Sequence, residues 1–328
     1  MKRVLLLAPL GVGSGNAATA YRIADGLSQT SKMSVHCMST HSPLASIRQF
    51  DAVLALHAYR AGHLLASMYQ NHSDLPPLII IFAGTDLHSY EPQWLPTIEQ
   101  IIPKARGLVC FSSEWKTYAE NVYRDLLTCP ITVIPQSVLL SPSISISEQL
   151  PYSQKTIIWA GVIRPVKDPI FAIRIMSCLT DHDLKLIIIG DEADRSLTDT
   201  IHSLCSHLNV TLIGNQSTEH VHALMRTAFA YLNTSVNEGM CLAILEAMAL
   251  GLPVIARRNT GNISIIKDGQ TGLLYETPEQ AAECLLTLEK DIQLRKILIK
   301  QAADRIIKIH NPEKEIAAYR NLILTLVE

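Results

Sequence analysis

Residues 237–256 read NEGMCLAILEAMALGLPVIA, and three kinds of local structure follow one another within this stretch. Asn237, Glu238 and Gly239 are loop formers. Residues 243–250 are built from Ala, Leu, Met, Ile and Glu and read as a helix, which Gly251 stops. Pro253 then opens a short apolar strand over 253–256, and residues 231–234 upstream read as another. A strand, a glycine loop, a helix and a second strand form a crossover unit of a parallel sheet.

The same texture extends in both directions. Upstream, 155–160, 185–189 and 210–213 read as strands, with helices over 169–179 and 219–226. Downstream, 272–275 is a strand, and 279–328 is helical throughout except for the break at His310-Asn311-Pro312. Residues 137–152 are rich in Ser and Pro and carry no helical period, as a link between domains does. A short alternating strand over 143–147 is an equal reading of part of that stretch.

Before the link, strands over 3–10, 34–39, 52–56, 78–82, 107–111 and 131–135 are too far apart for hairpins. Helices over 17–29, 62–70 and 115–126 fit between them. The expected architecture is α/β, with two doubly wound domains facing across a cleft: 1–137, a linker over 138–152, then 153–308. A final helix over 309–328 is expected to pack back on the first domain. Ligands of open parallel sheets bind beyond the C-terminal strand ends, so two such edges would make one composite site.

Composition excludes several function classes. The chain has 328 residues, 48% apolar and 18% charged, enough for two full cores. A net charge of −2 with dispersed basic residues argues against a nucleic-acid surface. The pair Arg257-Arg258 reads as solvated surface. Seven scattered cysteines form neither a disulfide framework nor a zinc motif, which points to a reduced, cytoplasmic setting. The apolar start runs straight into Gly11-Val12-Gly13-Ser14-Gly15-Asn16, as a buried first strand does and a cleaved leader does not. No run is long enough to span a bilayer, leaving at most peripheral membrane contact.

The chemistry gathers in the opening stretch. Glu238 and Glu246 lie eight residues apart, one in the loop and one on the helix. Amides of Gly239, Met240, Cys241 and Leu242 at the helix start could face an anion, with Glu238 at the mouth ready to accept from polyol hydroxyls. Two surface carboxylates on an ordinary connection are the plainer reading of the same spacing. Gly13-Ser14-Gly15-Asn16 lacks the spacing of a dinucleotide fingerprint, which weakens a dehydrogenase reading.

The Glu-Gly pair, the second Glu eight residues on, Ala247-Met248-Ala249, Gly251 and Pro253-Val254 together resemble the signature of retaining glycosyltransferases of family 4, which have the GT-B fold. Thr260-Gly261-Asn262 matches the family's glycine-containing donor loop, and residues 268–274 continue the likeness. The resemblance implies that Glu238 contacts the donor sugar and Glu246 the nucleotide ribose. It implies that Lys167 and Arg164 neutralise the donor diphosphate. Lys167 stands at the family's lysine position, whereas the arginine position is Val162 and Arg164 comes two residues later.

In the first domain, Gly15 and Asn16 match the loop that approaches the donor phosphates. His57, at the end of an apolar strand, resembles a recurring family histidine. Phe82-Ala83-Gly84-Thr85-Asp86 resembles a His-Gly-Thr-Asp loop whose histidine is here Ala83, with Asp86 and His88 as acceptor-side substitutes. The implied activity is retaining transfer from a nucleoside-diphosphate sugar to an acceptor hydroxyl, on a carbohydrate or lipid-linked molecule. Neither a metal nor another cofactor is expected. A sugar-nucleotide epimerase of the same fold, or a non-catalytic sugar-nucleotide binding module, is the alternative.

Overall fold

The computed structural model describes residues 1–11, 15–30, 33–44, 46–72, 74–88, 92–140 and 155–328. Gly13, Ser14, the optional strand over 143–147 and linker residues 141–152 lie outside them. The chain divides into two units, Met1–Ser137 with Asn311–Glu328, and Val138–His310.

In the first unit β1 (Lys2–Ala8), α1 (Gly15–Thr30), β2 (Met33–Ser39) and β3 (Ala52–Leu56) come first. Then follow α2 (Ala58–Asn71), β4 (Leu78–Ile81), α3 (Gly84–His88), α4 (Leu95–Ile101), β5 (Ala105–Cys110), α5 (Ser113–Val122) and β6 (Ile131–Val133). Its six strands lie in the order β2-β1-β3-β4-β5-β6, and their pairings are parallel. Strands β3 and β4 are buried along their whole length, because helices cover both faces of the sheet.

The second unit runs β7 (Thr156–Ala160), α6 (Pro169–Ser177), β8 (Lys185–Ile189), α7 (Arg195–Cys205), β9 (Val210–Leu212), α8 (Thr218–Thr227) and β10 (Ala230–Asn233). It continues with α9 (Leu242–Ala249), β11 (Val254–Arg257), α10 (Thr260–Ile265), β12 (Leu273–Tyr275), α11 (Pro278–Lys290) and α12 (Ile292–Ile309). Its sheet has the order β12-β11-β10-β7-β8-β9, the doubly wound order of dinucleotide-binding domains. The strand order reverses between β7 and β10, which pair directly through Ala230 with Ile157 and Tyr231 with Ile158.

Three local readings change. Helix α7 was not foreseen, and Asp194 caps it by accepting from the amide of Leu197 at 3.0 Å. The expected loop at 260–262 is instead the first turn of α10, capped by Asn259. The helical tail has a second break, at Asp291, whose carboxylate accepts from the Leu294 amide at 2.8 Å and restarts the chain as α12. A cap inside a continuous apolar period leaves little mark on that period.

The last helix, α13 (Pro312–Val327), belongs to the first unit and packs on α1 and β5. Glu315 anchors it. The fork of Arg22 reaches Glu315 at 2.9 and 3.0 Å, and the backbone and hydroxyl of Ser137 donate to the same carboxylate at 3.1 and 2.5 Å. The points where the chain leaves this unit and re-enters it are thus tied by one buried, fully partnered carboxylate.

Candidate active site

Two loops meet at the reversal of the second sheet. The one after β7 carries Lys167 at the end of a 3-10 turn, and the one after β10 carries Glu238. Val236 donates its amide to the Val166 carbonyl at 2.9 Å, and the Thr234 hydroxyl donates to the Lys167 carbonyl at 2.8 Å. Trp159 of β7 in turn donates its indole N–H to Thr234 at 2.8 Å. These bonds hold the loops in register.

The ammonium of Lys167 lies 2.6 Å from Oε1 of Glu238, with side chains 20% and 9% exposed. Ser235 donates to the same oxygen at 2.6 Å and Asn233 at 3.4 Å. Burial alone would raise the Glu238 pKa, but the charge and hydrogen bond of Lys167, with Ser235 and Asn233, hold it below the usual carboxylate range. Burial alone would lower that of Lys167, and Glu238 outweighs it, so the lysine sits above its ordinary value. Cys241 is buried beside them, and burial followed by the Glu238 charge pushes its thiol up to about 12. It is not a poised nucleophile.

Around this pair the loops are braced by residues to which the sequence assigned no bracing role. Asp168 adopts a left-handed conformation (φ 46°), caps α6 and bonds Arg257 at 2.9 Å. The guanidinium of Arg257 lies 4.3 Å from the centre of the Phe171 ring. Arg257 is therefore pinned between a carboxylate and a ring, a correction to its reading as solvated surface. Asn262 of α10 donates to Asn233 at 2.8 Å, and Asn259 to the Ser235 carbonyl at 2.9 Å. Gly261 has no room for a side chain, since a Cβ there would lie 2.6 Å from the carbonyl carbon of Glu238. Polar residues ending an apolar strand, as in Leu232-Asn233-Thr234-Ser235, were the available signal for the supports of Glu238.

The remaining second-unit candidates surround the pair. Gly239, Met240 and Cys241 lead into α9, and Leu242 begins it. The cap position is Cys241, which makes no side-chain cap hydrogen bond. Glu246 lies on the second turn of α9, 22% exposed, with Oε2 3.6 Å from Nε2 of His222. Arg164 is exposed, its carbonyl accepts from the Lys167 amide at 3.0 Å, and its side chain lies near enough for its charge to oppose that of Lys167.

The first unit assembles a second polar group at its own strand reversal, between β1 and β3. Gly15 and Asn16 open α1 after β1, and His57 follows β3 with φ 80°, a costly conformation for a residue with a Cβ. Asp86 is fully buried and accepts from the amides of Ala58, Tyr59 and Ala83 at 2.8, 3.2 and 2.9 Å. Its Oδ1 also lies 2.6 Å from Nδ1 of His57, off the line of a straight hydrogen bond. That approach suits a proton on Nδ1, leaving Nε2 to accept from the Thr85 hydroxyl at 2.7 Å. Asp86 thus acts through His57 and the backbone rather than at the surface. His88 ends α3.

Among the described residues no cluster of three His, Cys, Asp or Glu side chains could hold a metal, and no helix is long and apolar enough to cross a membrane.

With this geometry in place, comparison with known proteins defines the class. The profile of the glycosyl transferases group 1 family matches residues 142–305, half of the chain. The protein belongs to that family and is a glycosyltransferase. It is 29% identical to the glycosyltransferase 1 domain-containing protein 1 of Xenopus tropicalis, over 99% of this chain and 98% of that one. It is 31% identical to the D-inositol 3-phosphate glycosyltransferase of Corynebacterium glutamicum (strain R), over 44% of this chain and 38% of that one. The fold matches HepE of Anabaena, solved with UDP and glucose, with a TM-score of 0.80 at 16% identity over 99% of this chain and all of that one. It also matches a sucrose-phosphate synthase of Thermosynechococcus elongatus, TM-score 0.82 at 15% identity over 99% of both chains. Both units thus follow the two-domain GT-B architecture.

Proposed function

We propose that the protein moves a glycosyl group from a nucleoside-diphosphate sugar to an acceptor hydroxyl, with retention at the anomeric carbon. The Lys167–Glu238 pair carries this reading. An ammonium has three N–H donors and Glu238 takes one, so the others suit diphosphate oxygens. The Oε2 of Glu238 suits a hydroxyl of the donor sugar. Arg164 has the reach and the exposure to add a second cation to the diphosphate, so this reading requires no metal. Within the second unit, Gly261 and residues 239–242 at the start of α9 are assigned to the donor, and Glu246 to its ribose. The HepE complex with UDP and glucose supports this class of donor.

The state of Glu238 supports a reaction without an enzyme nucleophile. A carboxylate held by a cation and two further hydrogen bonds is a poor nucleophile. The bond from the anomeric carbon to the diphosphate breaks, its electron pair leaving with the diphosphate. The acceptor oxygen bonds to the same face, and its proton passes to a diphosphate oxygen. In the first unit, the Thr85–His57–Asp86 chain is assigned the acceptor hydroxyl.

A thermal-shift screen of UDP-, GDP- and ADP-sugars identifies the donor, because a ligand that binds only the folded state raises its stability. Product analysis against a panel of sugar and lipid-linked acceptors follows. A product of opposite anomeric configuration overturns retention. An epimerised sugar nucleotide without transfer replaces the reading with an epimerase. Donor binding with neither transfer nor hydrolysis across the panel replaces it with a binding module.

A further inference from the structure

The buried histidine of α8 is a polar group that the proposed reaction leaves unused. His222 is wholly inaccessible, and among the described residues neither of its ring nitrogens has a hydrogen-bond partner. A buried imidazole normally satisfies at least one nitrogen, and leaving both unpaired costs stability that an apolar side chain would not. Its Nε2 is 3.6 Å from Oε2 of Glu246, across the contact between α8 and α9. That is beyond a hydrogen bond, yet short enough for a small turn of the Glu246 side chain to close it.

We infer that His222 is a positioning residue for the donor nucleotide, donating its Nε2 proton to Oε2 of Glu246 and so orienting the other carboxylate oxygen toward the ribose diol. The inference rests on the proposed ribose role of Glu246 and adds a residue that fixes its aim. A carboxylate on a half-exposed helix face, 22% accessible, has rotamers to lose on binding, and a fixed donor behind it selects one in advance. The arrangement is the one by which a histidine or carboxylate outside direct ligand contact orients the group that makes it. The two unpaired ring nitrogens are then the cost of holding that donor ready in the empty protein.

The test uses the whole chain with His222→Leu and His222→Gln. Binding of UDP, GDP and ADP is measured by calorimetry, and the tightest is compared with its 2′-deoxy and 3′-deoxy counterparts. His222→Leu removes the donor but fills the space, so it is expected to raise Tm while weakening the ribonucleotide about tenfold. The deoxy counterparts, lacking a hydroxyl for Glu246, are expected to change by less than about threefold. His222→Gln, which keeps an N–H donor, should restore most of the discrimination between ribose and deoxyribose. If the wild type discriminates and His222→Leu discriminates equally well, the inference fails and the proposed function stands. Equal weakening of ribo- and deoxynucleotides also overturns it, since general damage does not choose between sugars. If the wild type binds none of the nucleotides, the proposed donor class falls and the inference with it.

Discussion

Replacing Lys167 by Met tests the ion pair most directly, because it leaves a nearly buried carboxylate without its cation. Removing one partner of a buried pair typically costs about 3–5 kcal/mol. Here the Lys167 side chain keeps 20% exposure, and Glu238 retains bonds from Ser235 and Asn233. Those features reduce the expected loss to about 2–3 kcal/mol. In a unit of this size that lowers Tm by about 5–10 °C. The pH dependence gives the sign. Glu238 is depressed in the folded state, so its stabilisation is present above the ordinary carboxylate pKa and is lost as pH falls through the folded value. Lys167 is raised, so its share is present below the ordinary lysine pKa and is lost as pH rises through the folded value. The gap between wild type and Lys167→Met should therefore be widest near neutrality and narrow toward acid, where Glu238 protonates. Urea unfolding of Lys167→Met, Glu238→Gln and the double variant across pH measures this. A gap under about 0.5 kcal/mol, or one independent of pH, would refute the electrostatic account.

Other outcomes follow from the same geometry. Glu238→Gln keeps the shape but loses the charge, so turnover should fall by at least about a hundredfold while stability drops less than in Lys167→Met, read by steady-state rates beside unfolding curves. Gly261→Ala forces a methyl against the Glu238 backbone and should destabilise the second unit by about 2–4 kcal/mol, visible in urea melts. Glu315→Gln leaves the buried Arg22 guanidinium without a counter-charge and should cost about 3 kcal/mol or more, with protection from hydrogen exchange lost first in α13.

Much of the fold is written locally. Unbroken apolar runs such as 52–56 and 78–82, set apart by helical periods, specify buried parallel strands, and the structure buries both strands throughout. Boundaries drifted where a single cap decides them, as at Asp291, because a cap is one hydrogen bond in an unchanged hydrophobic period. Glu238 and Lys167 were legible as separate motif positions; their 2.6 Å contact was not. Nor could the sequence show that Arg257 would lie over Phe171, or that His222 would face Glu246 from another helix.

The amino-acid order by itself determined the alternation of strand and helix and the family, since propensity, capping and motif spacing act over a few residues. The tertiary structure alone decided which distant side chains share a site. Lys167 and Glu238 are 71 positions apart, and they meet because the sheet places β10 directly beside β7. That pairing depends on which strand edges remain available once the crossovers have packed, a global condition that no local period encodes.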